Sequence, residues 1–273
     1  MPAPIDKAYT ADHVVGADNS VAFTCSNDRA EWPWLELPPQ HPLVLMTQSF
    51  WISVGGAMAR GTLDPSKWSA LTWVDWAIGD PAAGHGAHGI MEDTAIGGAP
   101  GFAITLRDAQ ERLVYRMRGK GVVFRNRNFE GWRAESKGAL APARPEHDFE
   151  YAPAGAVGVA TGEFALISPL EPDGEAVTAL VTAANGMPPA SRQLSGSGDH
   201  VNATHIGECA RQFAALLTGD PRVAFSAGQI RFDRYIEMEV PFRIVCAERS
   251  DIGLRLRFSQ ADRECSEAQL RFA

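Results

Sequence analysis

The sequence predicts an α+β protein of two similar halves, in each of which antiparallel strands wrap around one apolar helix. Two helical segments support this prediction. Residues 41–60 are almost wholly apolar, as a buried central helix is, and residues 199–219 have apolar side chains at intervals of three and four. Strand-like segments follow each helix, so the order strand, loop, helix, strands occurs twice. The halves share little sequence identity, so what repeats is the order of the predicted elements and not the residues themselves.

Composition indicates a globular protein, with enough residues for one large domain or two of about 130 residues each. Of the 273 residues, 45% are hydrophobic and 21% are charged. The formal net charge of −8 argues against a general nucleic-acid binder, which needs a basic surface. No run approaches the roughly 18 apolar residues of a membrane span, and the N-terminus lacks the order of a signal peptide. We therefore expect a cytoplasmic protein that binds neither nucleic acid nor membrane.

The cysteine pattern favours reduced thiols in the core of a cytoplasmic protein. The four cysteines are widely spaced and form no CxxC pair. His85 and His88 lie near Glu92 and Asp93, but in a segment rich in glycine and alanine that contains no cysteine, which disfavours a metal site. We expect neither a metal ion nor a cofactor.

The first half, residues 1–134, is predicted to hold four strands around its helix. The strands are residues 20–25, 68–78, 103–107 and 112–124. The helix ends before Gly61, and the glycine-rich stretch 79–98 is predicted to be a loop.

A polar, proline-containing segment without periodicity, residues 135–153, is predicted to link the halves, and the second half then spans residues 154–273. Its predicted strands are residues 158–168, 176–181, 223–232, 235–248, 254–258 and 268–272. Its helix can be capped by Asp199 or Asn202, and Gly219 stands where a helix C-terminus favours a left-handed residue.

Polar side chains crowd the start of this second helix. They are Asp199, His200, His205, Glu208 and Arg211. The amides and the dipole of a helix N-terminus favour an oxyanion there, and a carboxylate beside an imidazole can perform general acid–base catalysis. The sequence therefore predicts a candidate active site at this helix start.

Two motifs resemble the A-factor biosynthesis hotdog family, whose members make γ-butyrolactone signals from acyl-carrier thioesters. The first is Asp199-His200-Val201 followed by E-x-A-R-Q, which begins at Glu208. The second is F-x-R-Y-x-E from Phe232 to Glu237, followed by Pro241. The resemblance implies a curled antiparallel sheet around one long helix, the hotdog fold, and two copies of it in this chain. It also implies the transfer of a β-ketoacyl group from its carrier to a hydroxyl acceptor.

On this resemblance His200 is the candidate base, with Asp199 beside it and Glu208 as the partner that orients or shuttles the proton. Arg211 or Arg234 would hold a carbonyl or phosphate group. An alternative for Glu208 is a buried ion pair with one of these arginines. If the helix is regular, Glu208 projects from roughly the same side as His200.

Two weaker resemblances concern Asn202 and His205. The sequence His200-Val201-Asn202 is similar to the helix entry of hotdog acyl-CoA thioesterases, and Asp199, Asn202 and His205 are similar to the motif of hotdog enoyl hydratases, with one residue too many and no proline. These resemblances make Asn202 and His205 candidate substrate-binding residues. For His205 a purely structural role is the alternative.

The first half departs from the family pattern because residues 41–60 contain no acidic side chain. We expect that this half has lost its own catalytic site, and that His41 either faces the shared site or only begins the helix. A basic stretch follows, in which Arg116, Arg118 and Lys120 would share one strand face. It could dock an acyl-carrier protein or the phosphate of CoA, or be an ordinary solvated surface.

The leading hypothesis is thus an A-factor-like acyltransferase that acts on an acyl or polyketide thioester, as a monomer or homodimer. Dehydration, cyclisation and thioester hydrolysis are alternative reactions. Each also requires that an enolate or a tetrahedral oxyanion be stabilised at a helix N-terminus. A non-catalytic protein that binds an acyl chain or a lactone is an alternative of a different class.

Overall fold

The computed structural model describes residues 8–64, 67, 69–124, 128–140, 149–159, 164–185 and 199–273. Within these residues there are three α-helices: α1 (Pro42–Ala59), α2 (Phe129–Leu140) and α3 (Ala203–Thr218). The strands of the first half are β1 (Thr10–Val15), β2 (Val21–Cys25), β3 (Ser69–Ile78), β4 (His88–Ile96), β5 (Ala99–Arg107) and β6 (Leu113–Val123). Those of the second half are β7 (Ala176–Ala179), β8 (His200–Val201), β9 (Phe225–Phe232), β10 (Ile236–Glu237), β11 (Phe242–Ser250), β12 (Gly253–Gln260) and β13 (Arg263–Phe272).

Eleven of the described strands form one antiparallel sheet, in the order β1-β2-β4-β5-β6-β3-β9-β13-β12-β11-β7. The strands of the two halves meet edge to edge where β3 pairs with β9. At this seam Trp76 is the register partner of Gly228, and a Cβ atom on Gly228 would lie 2.2 Å from Cζ2 of the indole. The seam therefore needs a glycine opposite the tryptophan.

The two long helices lie against each other within the curve of this sheet. Gly207 of α3 allows a close approach, since a Cβ atom there would lie 3.3 Å from Cβ of Pro42 in α1. Side chains of both helices join the main core, among them Leu45 and Ile52 of α1 and Phe213 of α3. These side chains are almost completely buried, so burial of apolar surface holds the helices in place.

α1 is long and apolar enough to cross a membrane, in contrast to the expectation that no segment is. However, 67% of the helix is buried inside the protein, as in the core helix of a globular fold. Residues 42–49, the first two turns, are all buried, which removes the need for a polar face there and explains the apolar composition of this part of α1.

Several predicted elements agree with the structure, and four need correction. The predicted loop 79–98 contains β4, which pairs with β2 and β5 on its two sides. Gly89 fits there because a Cβ atom would lie 2.5 Å from the Thr105 carbonyl oxygen. The glycines thus permit close strand contact at this position instead of forming a loop.

The other three corrections concern β1, which was not predicted, and two predicted strands of the second half. The described part of residues 158–168 has only an isolated bridge between Ile167 and Ala179. The predicted strand 235–248 is divided into β10 and β11, which belong to different sheets. The predicted linker 135–153 begins inside α2, and its residues 141–148 lie outside the described residues, so the domain boundaries stay predictions.

Candidate active site

α3 begins with a reciprocal cap between Asn202 and His205. The Asn202 side-chain oxygen accepts hydrogen bonds from the amides of Thr204 and His205, at 3.0 and 3.3 Å. In return, Nδ1 of His205 accepts a hydrogen bond from the Asn202 amide at 3.1 Å. A histidine here occupies the position that glutamate has in an ordinary capping box. His205 is completely buried, so its contacts support the structural role among the two that the sequence left open.

His200 lies just before this cap, in the short strand β8, and is paired with the carboxylate of Asp199. The Nδ1 atom of His200 and Oδ1 of Asp199 are 2.5 Å apart. Burial alone would raise the pKa of Asp199, but the hydrogen bond from His200, the charges of His200 and Arg133 and a hydrogen bond from Lys137 together hold it well below its usual range. Because an ionised carboxylate can only accept a hydrogen bond, Nδ1 of His200 is the donor in this contact, and Nε2 is the ring nitrogen left for proton exchange.

The second oxygen of Asp199 is bound by two cations from α2, a helix that the sequence did not predict. Its Oδ2 atom accepts a hydrogen bond from Lys137 Nζ at 3.0 Å and one from Arg133 Nη2 at 3.3 Å. Arg133 is buried and forms a two-pronged ion pair with Glu237, which is the register partner of His200 in β10. The amphipathic pattern of residues 129–140 was the available signal, but these residues carry two acidic and two basic side chains, and the pattern did not indicate which half α2 would contact.

A cavity of about 420 Å³ opens beside His200. Its apolar wall combines residues of both halves with α2, namely Leu71, Val122, Phe124, Trp132, Leu140 and Phe232. His200, Asn202 and Ala203 also line the cavity, as does Arg234, an exposed side chain. The Asn202 side chain binds the amides of Thr204 and His205, and the amide of Ala203, the first residue of α3, has no hydrogen-bond acceptor among the described residues. An apolar cavity with a few convergent polar groups is the usual form of a small-molecule site.

Tyr235 forms part of the same cavity and contacts the imidazole edge-on, with ring centroids 4.6 Å apart. Burial is the main cause that raises the pKa of Tyr235 to about 12, and the Arg133 charge opposes this effect. The guanidinium of Arg133 lies 4.2 Å from the centre of the phenol ring. The ring therefore fixes one side of His200 while it packs against α2.

Glu208 is not brought to His200, in contrast to the expectation that the two share one side of a helix. His200 precedes the helix in β8, so the helical spacing between them does not apply. Glu208 is fully buried, and its carboxylate accepts hydrogen bonds from Arg211 at 2.6 and 3.0 Å and from Gln212 at 2.8 Å. Gln212 in turn binds the backbone of Phe164 and Leu166. These contacts support the ion-pair alternative and give the E-x-A-R-Q segment a structural role.

His41 approaches this buried cluster from the other half of the chain. It caps α1, and its Nδ1 atom accepts a hydrogen bond from the Leu43 amide at 3.4 Å. Its Nε2 atom is 3.6 Å from Oε2 of Glu208. Burial lowers the pKa of His41 to about 4; the Glu208 charge opposes this shift and that of Arg211 adds to it. His41 thus faces the helix of the second half, at the Glu208 cluster and not at the cavity.

Comparisons of the whole chain with known proteins place this geometry in a known fold. The structure resembles the 12:0-ACP thioesterase from Umbellularia californica, with a TM-score of 0.55, 14% sequence identity and coverage of 93% of this chain and 96% of that one. An acyl-ACP thioesterase from Bacteroides thetaiotaomicron gives a TM-score of 0.54 at 8% identity, with coverage of 93% and 97%. The fold is a double hotdog.

A third similar structure is a dehydratase-cyclase domain from ambruticin biosynthesis, with a TM-score of 0.50, 14% identity and coverage of 97% of this chain and 95% of that domain. No protein-family model and no curated protein sequence matches the chain. At these identities the likeness establishes the hotdog fold alone, and the narrower resemblance to the A-factor family stays a prediction.

The other residues that the sequence analysis considered, the basic side chains of β6 and the cysteines, have ordinary surface or core environments. Arg118 pairs with Asp75 on the neighbouring strand, and Arg116 is exposed on β6. All four cysteines are in described parts of the chain and none forms a disulfide. Among the residues that the structure describes, no three His, Cys, Asp or Glu side chains are grouped so that they could hold a metal ion.

Proposed function

We propose that this double hotdog is an enzyme that transfers the acyl group of a thioester to an oxygen nucleophile, with His200 as the general base. The observation that supports this most directly is the Asp199–His200 pair, whose imidazole lines the cavity. An imidazole whose Nδ1 proton is held by a carboxylate presents Nε2 as a proton acceptor, which is the arrangement that activates hydroxyl nucleophiles.

In the proposed reaction, Nε2 of His200 removes the proton of the O–H nucleophile as its oxygen attacks the thioester carbonyl carbon. The tetrahedral oxyanion that forms accepts a hydrogen bond from the Ala203 amide, at the positive end of α3. The C–S bond then breaks, and the imidazolium returns its proton to the departing sulfur. The products are an ester, or an acid if the nucleophile is water, and a free thiol. Asp199 stabilises the imidazolium between these two steps.

The nature of the nucleophile rests on the sequence motifs. The resemblance to the A-factor family favours a hydroxyl acceptor and a β-ketoacyl donor, whereas water would make the protein a thioesterase. The thioester would be carried by an acyl-carrier protein or CoA, and the exposed Arg116 and the half-buried Lys120 on β6 would give such an acidic carrier a basic contact. The enzyme would work in the cytoplasm, where its cysteines stay reduced.

Dehydration is a second candidate because His41 and Glu208 approach each other across the two halves, with Nε2 and Oε2 3.6 Å apart. A histidine and a carboxylate at this separation could divide acid and base roles. The fully buried Glu208 is already bound by Arg211 and Gln212, so this arrangement supports catalysis less well than the Asp199–His200 pair does.

The test is a panel of β-ketoacyl, β-hydroxyacyl and saturated acyl thioesters of N-acetylcysteamine, each with and without a hydroxyl acceptor. Thiol release gives the rate, and the mass of the products identifies the reaction. His200→Ala is compared with His88→Ala, a matched control in which an exposed histidine also contacts a carboxylate, that of Glu111 at 2.8 Å. We expect kcat/KM to fall by about 10²-fold or more in His200→Ala and to stay unchanged in the control.

The mass of the product distinguishes the possible reactions. An ester that forms only with the acceptor supports acyl transfer, and an acid supports hydrolysis by the same base. Loss of water that depends on His41 and not on His200 would replace the proposal with dehydration. If no thioester reacts but acyl chains bind equally well to wild type and His200→Ala, the protein is a binding protein and the proposal is wrong.

A further inference from the structure

We propose that Lys137 and Arg133 of α2 are positioning residues that hold Asp199 in the orientation that His200 needs, a role that rests on the proposed function. The carboxylate of Asp199 divides its oxygens between two sides. Oδ1 contacts His200, whereas Oδ2 contacts Lys137 Nζ at 3.0 Å and Arg133 Nη2 at 3.3 Å. A carboxylate bound at both oxygens cannot rotate away from the imidazole without breaking a charged hydrogen bond.

Arg133 is held in place by contacts on several sides. Its side chain is 4% exposed, its guanidinium is paired with both oxygens of Glu237, and it lies over the ring of Tyr235. Glu237 is the strand partner of His200, and Tyr235 contacts the imidazole. Arg133 is therefore held by the same residues that surround His200, so α2 and the catalytic pair are fixed relative to each other.

The charges around the imidazole are balanced by α2. Among the described residues, Asp199, beside β8, contacts the imidazole, and Glu237, in β10, is its strand partner. Arg133 and Lys137 bind these carboxylates, and Asp233, Arg234 and Arg263 line the same cavity as the imidazole. If the Lys137 charge is removed, the Asp199 carboxylate is less neutralised, and a carboxylate beside an imidazole favours imidazolium. α2 therefore sets the charge beside His200 as well as the orientation of Asp199.

Lys137 offers the cleaner test because its side chain is 35% exposed and its loss leaves no buried charge unpaired. Lys137→Met removes the charge and keeps the length, and Lys137→Arg keeps the charge. Lys67→Met is the matched control: Lys67 is an exposed lysine that pairs with Asp64. The Cε1 proton of His200 is titrated by NMR in each protein, with His200→Ala for assignment, and kcat/KM is measured against pH where a thioester substrate is turned over.

We expect the titration midpoint of His200 to move to higher pH by about half a unit in Lys137→Met, the size expected for the loss of one nearby, partly solvated charge. The acid limb of the kcat/KM profile should move with it, and Lys137→Arg should restore both. Lys67→Met should match the wild type.

The inference and the proposed function fail in different ways. If the midpoint in Lys137→Met equals that in Lys67→Met, the positioning role is wrong even if thioesters are turned over. If the midpoint moves but no thioester reacts in the wild type, the coupling between α2 and His200 holds and the proposed function is wrong.

Discussion

The buried ion pair between Glu208 and Arg211 gives the prediction that best separates a structural from a catalytic role for the E-x-A-R-Q segment. The two side chains are 1% and 5% exposed. If either is replaced by methionine, the other stays buried and loses the charge that it faces in this ion pair, which should cost about 3–5 kcal/mol of the free energy of unfolding. When both are replaced, neither buried charge of this pair remains, so the double variant should lie within about 2 kcal/mol of the wild type.

The measurement is urea unfolding, followed by tryptophan fluorescence and circular dichroism, for wild type, Glu208→Met, Arg211→Met and the double variant. Arg222→Met is the matched control, because Arg222 is 93% exposed and its contact with Asp220 should be worth less than about 1 kcal/mol. Additive costs in the double variant would refute the argument that the two charges compensate each other. Kinetics of Glu208→Gln complete the test: a loss of about 10²-fold in a folded protein would restore the acid–base role.

Two further predictions concern the helix start of the first half and the seam. As the pH decreases from 6.5 to about 4, the unfolded chain binds a proton at His41 that the folded protein does not bind. The free energy of unfolding should therefore fall by up to about 3 kcal/mol over this range. Urea unfolding at pH 7 and pH 4.5 measures the loss, and His41→Gln should lack the part that comes from His41. Gly228→Ala should lower the free energy of unfolding by about 1–3 kcal/mol because its Cβ atom would overlap the Trp76 indole. Gly138→Ala is the control: Gly138 has open space around it in α2, so alanine there should raise the melting temperature. Equal melting temperatures of the two variants would contradict this argument.

The elements with strong local signals were predictable from the sequence. Helix α3 has a capping residue at Asn202, a left-handed glycine at Gly219 with φ of 69°, and regular apolar spacing between them. Helix α1 is apolar along its whole length. The repeat of these two helices, each followed by strands, predicted two copies of one unit, and the resemblance of the motifs around α3 to a hotdog family implied the fold of that unit.

Elements whose stability comes from distant partners were not predictable. The stretch 79–98, which contains β4, looks like a loop because it has six glycines, but pairing of β4 with β2 and β5 on its two sides stabilises a strand there. Helix α2 was included partly in a linker because its anchoring contacts, from Arg133 to Glu237 and from Lys137 to Asp199, join residues 104 and 62 positions apart.

The candidate site shows the same division. The sequence by itself determined that Asp199 and His200 are adjacent, that a helix starts just after them, and that apolar helices form the centre of each half. Only the tertiary structure decided that Glu208 turns into the core with Arg211, that His41 crosses to the other half, and that α2 supplies cations to Asp199. Local hydrogen bonds and periodicity are properties of a short segment, whereas the partner of a buried charge depends on which distant segment the fold places beside it.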